Sequence, residues 1–294
     1  MIEFYVKRAN KKQKDMKSLS LLWVSALCIG MVSAATGGLR ETRPVKITES
    51  FDGVSAAAGV DVVYTQSTGA PVIELSATSD VIDKIWVRVQ DGILKVSYQA
   101  KTGVLSFNKS HRAELRITGP ALHSFEASSS SDIVLKLGME TDKKVSLSAS
   151  SSGEIHVSTL QCGDLDVKAS SSGDIDIARL KCVNLSIAAS SKGDVEIKNL
   201  KAKQVIADTA SASDIELEGT TDTFAAEASS AGNIDAEDLK ADVVVAEASS
   251  AGKIECRAVK ALEAKCSSAG QVVYSGNPNI IGQKPKGLRK NRDD

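Results

Sequence analysis

Aromatic side chains are scarce: Phe, Trp and Tyr together make up 4% of the 294 residues. Rings are the bulkiest core fillers, so their scarcity points to thin layers lined by Ile, Val, Leu and Ala. Histidine is rarer still, with 3 residues. His111, His123 and His156 lack metal-motif spacing such as H-x-x-x-H, and none lies near a G-x-S-x-G elbow. There is no phosphate loop and no dinucleotide fingerprint. The formal net charge is −1, so no basic surplus suggests a nucleic-acid partner. After residue 36 no apolar run is long enough to span a bilayer.

What the chain has in abundance is repetition. Residues 170–177 read S-S-S-G-D-I-D-I, residues 190–197 S-S-K-G-D-V-E-I and residues 249–256 S-S-A-G-K-I-E-C. The glycine slot recurs at Gly153, Gly173, Gly193, Gly232, Gly252 and Gly270, with Ser131 and Ser213 in the same slot of two weaker copies. Successive slots are 22, 20, 20, 20, 19, 20 and 18 residues apart. A fixed period of this size is the signature of a solenoid. Two and four residues beyond each slot stand apolar side chains, such as Ile175 and Ile177, with polar residues between them. A second alternating run follows, as in Leu165, Val167 and Ala169. This is the period of half-buried strands. β-branched residues broken by Gly and Ser make helix a poor fit. Two strands and two corners per copy give one coil of a parallel β-solenoid, about eight coils in all over residues 121–276. The glycine at the corner is expected to supply φ > 0.

The flanks differ. Residues 1–15 are basic and form either an extension or a mis-assigned start, with Met16 as the alternative first residue. Residues 16–35 join a charged start, an apolar run and a small-residue end, the pattern of a signal peptide or, alternatively, an uncleaved anchor. Leu27 before Cys28 argues against a lipidation site. Export predicts a location in the periplasm, on the outer-membrane surface or outside the cell. Residues 40–50 read as a polar linker. Residues 45–120 form a less regular β segment, with strands expected at 60–64, 72–77, 85–90, 94–98 and 113–118. A helical turn is expected at 80–84, and a hairpin turn at Asp91-Gly92. Residues 277–294 read as a polar, basic tail with no barrel-forming segment, which predicts a head without its own translocator.

The opening Phe51-Asp52-Gly53-Val54, the run Val60-Asp61-Val62-Val63-Tyr64, the segment Asp91-Gly92-Ile93-Leu94-Lys95-Val96 and the S-S-G-D-I units together resemble the auto-transporter adhesin head GIN domain family. The resemblance covers roughly residues 45–274. It implies an exported, right-handed β-solenoid of Bacteroidetes-type bacteria and an adhesive role.

Two patterns are candidate sites. The residue after the slot is acidic in five coils: Asp132, Glu154, Asp174, Asp194 and Asp214. Two residues on, an outward column reads Asp176, Glu196, Glu216, Asp235 and Glu255. Such a strip is either a solvated face or a site for a basic partner or weakly held Ca²⁺. The expected ligands are Asp174, Asp176, Asp194, Glu196, Asp214 and Glu216; no other cofactor is implied. Cys162 and Cys182 are one period apart, which suggests a coil-to-coil disulfide. Cys256 and Cys266 read as small buried hydrophobes. No catalytic set emerges. The leading expectation is an exported adhesin-like protein binding an unknown protein or surface ligand. The alternatives are a structural envelope rod and, less favoured, a carbohydrate-active enzyme. Outward aromatics for sugar stacking are nearly missing.

Overall fold

Alternation governs burial residue by residue. In the strand Asp174–Ile177, Ile175 and Ile177 are 0% and 1% exposed, while Asp174 and Asp176 face outward. The strand Asp164–Ser170 buries Leu165, Val167 and Ala169 in the same way. The computed structural model describes residues 39–99 and 113–291. The expected signal peptide with Met16 and Cys28, the basic extension and His111 lie outside those residues.

Equivalent residues stack in parallel register. Ile133, Ile155, Ile175, Val195, Ile215, Ile234, Ile254 and Val272 form one unbroken ladder, coil upon coil. Neighbouring rungs in such a ladder lie about 4.8 Å apart. This is the β-solenoid of about eight coils that the period implies. The earlier regular coils carry three strands rather than the expected two, as in Asp174–Ile177, Leu180–Lys181 and Asn184–Ser190. The extra strand is two residues long, too short to show a period in sequence. From Val195–Thr209 onward the strands of a coil run together.

The corner before each slot is built differently from expectation. The left-handed residues are the two before the glycine, such as Ser171 at φ 52° and Ser172 at φ 57°. Gly173 itself closes the turn, donating its N–H to the Ser170 carbonyl at 3.0 Å. The glycine is required by proximity: a Cβ on Gly173 would lie 2.5 Å from both Ala149 C and Ser150 N of the previous coil. Left-handed serines are strained, and a hydrogen-bond ladder holds them. Ser152 N donates to Ser171 O, and Ser172 N to Ser191 O, each at 3.2 Å.

The N-terminal segment caps the stack. Its strands Val60–Gln66, Val72–Thr78, Ile85–Gln90, Ile93–Tyr98 and Ala113–Gly119, and the turn Ile82–Lys84, fall where alternation puts them. Ile85–Gln90 and Ile93–Tyr98 form the hairpin through Asp91 at φ 54° and Gly92 at φ 77°. The chain order is not the stacking order. Gly53–Ala56 pairs in parallel with Ile93–Tyr98 on one side and Ser124–Ser128 on the other, so an early coil is inserted between two later ones. Residues 40–50 are not wholly linker, since Arg40–Pro44 is an antiparallel edge strand on Val72–Thr78. Tyr64, fully buried, donates to the Pro120 carbonyl at 2.7 Å and meets Phe125 edge-on at 5.3 Å. At the other end the expected tail adds partial strands: Asn279–Ile281 on Lys253–Cys266, and Leu288–Lys290 on Gln271–Ser275.

Candidate functional site: the acidic face

Because the side-chain period of a strand is two, residues one and three beyond the slot share one face. Parallel register then lines up Asp132, Glu154 and Asp174 as one column, and His156, Asp176, Glu196, Glu216, Asp235 and Glu255 as the next. Asp194 and Asp214 follow Asp174 in the first column, tied to it by hydrogen bonds. Asp194 N donates to Asp174 Oδ1 at 3.3 Å, and Asp214 N donates to Asp194 Oδ1 at 3.0 Å. Asp61 Oδ1 takes the same bond from Asp132 N at 3.2 Å. These carboxylates therefore splice one coil to the next. Burial, with Asp194, Glu154 and Asp176 nearby, raises the Asp174 pKa.

The second column is partly neutralised. His156 is held between Asp176 Oδ2 at 2.9 Å and Glu154 Oε2 at 3.1 Å. Chiefly the hydrogen bond to Asp176, opposed by burial and reinforced by Glu154, raises its pKa to about 9. The ring is a cation at neutral pH. Lys198 pairs with Glu196, and Lys253 with Glu255 at 2.5 Å. The structure thus brings Asp174, Asp176, Asp194, Glu196, Asp214 and Glu216 onto one face, arrayed in columns rather than gathered round a point. Among the described residues, no three Cys, His, Asp or Glu side chains converge closely enough to hold a metal ion. His156 was the member missed in sequence. Its signal was its place, three residues beyond Gly153, in the outward acidic phase.

Cys162 and Cys182 stand in neighbouring coils as free thiols, not as the expected bond. In-register parallel neighbours project side by side, about one strand spacing of 4.8 Å apart. Burial pushes both thiols up to about 12. Cys256 is fully buried, whereas Cys266 is only partly so. Among the described residues no helix is long and apolar enough to cross a membrane.

Long, parallel columns of charge on stacked coils define a β-solenoid with extended display faces. The family described as "Putative auto-transporter adhesin, head GIN domain" matches residues 50–209 and, a second time, residues 174–278. The protein belongs to this family. The fold is shared with solved structures of low identity. One, a putative lipid binding protein from Parabacteroides distasonis, is 20% identical with a TM-score of 0.62, over 87% of this chain and 98% of its own. Another, a putative adhesin from Parabacteroides merdae, is 17% identical with a TM-score of 0.63, over 87% and 97%. A third, a putative adhesin from Parabacteroides distasonis, is 16% identical with a TM-score of 0.62, over 86% and 97%. No curated protein matches the chain.

Proposed function

We propose that the protein is an exported, non-enzymatic, adhesin-like binding head of the bacterial envelope or cell surface. Membership of the adhesin-head family supports this reading. The observation that carries it is the register itself: on the acidic face like outward side chains recur from coil to coil, as in Asp176, Glu196, Glu216 and Asp235, so that face repeats one recognition surface. Such a surface suits an extended partner better than a small molecule. The acidic face takes a basic partner chain. A Ca²⁺ ion is the weaker occupant, because columns of carboxylates do not enclose a cation.

The test is binding and turnover measured together. Labelled full-length protein is applied to arrays of glycans, matrix proteins and basic peptides, and separately to a polysaccharide panel. Saturable binding that weakens between low and high salt, with no fragments released, is the expected result. Fragment release in proportion to protein would establish the enzyme instead. Failure to bind any surface would leave the structural rod.

A further inference from the structure

The short-strand face carries a groove of about 610 Å³, within the range of small-molecule sites. Leu180–Lys181 and its successor stack so that Lys181 lies in register with Lys201, about 4.8 Å away. Lys203 joins them on the same rim. All three are exposed, and among the described residues none makes an ion pair. The floor is apolar: the edges of Cys162 and Cys182, 6% and 8% exposed, and Val183, whose 43% exposure is high for a large aliphatic side chain. Glu140 and Asp142 close the far end, and Glu140 is already engaged by Gln161 Nε2 at 2.8 Å.

We propose that this groove binds an amphiphile with one anionic headgroup, a carboxylate or phosphate monoester, on an unbranched apolar chain. Three unneutralised ammonium groups on one rim call for negative charge. The exposed Val183 and the thiol edges call for an apolar body that covers them. A purely apolar ligand would leave the lysines unused. A polyanion would run its charge into Glu140 and Asp142. The headgroup therefore lies over Lys181 and Lys201, and the chain runs past Val183 and Cys182 toward Cys162. This goes beyond the surface role proposed above and concerns a different face and a different ligand, so either reading can fail alone.

The experiment is calorimetric titration of the full chain with dodecyl phosphate below its micelle concentration, with inorganic phosphate and an uncharged dodecyl glycoside in parallel. The wild type binds dodecyl phosphate at least ten-fold more tightly than either control. Lys181→Gln/Lys201→Gln loses at least ten-fold in affinity with an unchanged melting temperature, since neither lysine is paired. Val183→Glu, which places a carboxylate in the path of the chain, weakens binding comparably. Equal affinity in wild type and the lysine variant overturns the proposal. So does inorganic phosphate binding as tightly as the amphiphile, or no binding at all.

Discussion

A methyl group at position 173 has nowhere to go. Its nearest neighbours are backbone atoms of the previous coil, and these cannot rotate away. Gly173→Ala should lower stability by about 1–3 kcal/mol, the range that overpacking produces, as read by chemical denaturation; an unchanged midpoint would reject the close-approach account. His156 is the other residue on which much turns. Its pKa is raised on folding, so its stabilisation is complete below about 6.5, the ordinary value, and is lost as pH rises through about 9. The ring is partly exposed, and solvent screening holds the effect to about 1 kcal/mol or less. His156→Gln should melt below wild type at pH 6 and converge with it by pH 10. A gap that is constant with pH would mean that packing, not charge, is what His156 supplies.

At the scale of the element, the corner matters more than the strand. Each corner spends two residues in the left-handed region, and most of them are Ser or Ala rather than Gly. A branched side chain there is disfavoured far more than a short polar one. Ser172→Val should destabilise by about 1–3 kcal/mol, while Ser172→Asn, which tolerates that conformation, should be neutral or better. Equal melting of the two variants would contradict the assigned turn. Much of this architecture was legible in the residues. Ile175 and Ile177 announce their inward direction by alternation, and the Asp91-Gly92 hairpin by its dipeptide. Other parts were not. Leu180–Lys181 is too short to have a period. Arg40–Pro44 is an edge strand with little buried surface, so nothing in its composition separates it from a linker. The insertion of Gly53–Ala56 between later coils depends on pairing across about 70 residues to Ser124–Ser128. The acidic columns followed from the period of twenty. Their use as hydrogen-bond splices did not, because a carboxylate that accepts a backbone N–H reads the same in sequence as a free one.

At the scale of the whole molecule, a repeating stack must manage its two ends. Antiparallel strands close the N-terminal end. At the other end Asn279–Ile281 and Leu288–Lys290 are edge strands, and Arg289 and Lys290 place positive charge where another chain would add itself. Charged edges of this kind discourage sheet-to-sheet aggregation. The stack therefore presents its faces rather than its ends, as the proposed adhesin-like binding role requires. Proteinase K treatment of cells producing the full chain, intact and with the outer membrane permeabilised, tests the proposed exported role most directly. The account predicts that the protein is degraded in one or both preparations while a cytosolic marker survives. Full protection in both preparations until complete lysis would contradict it.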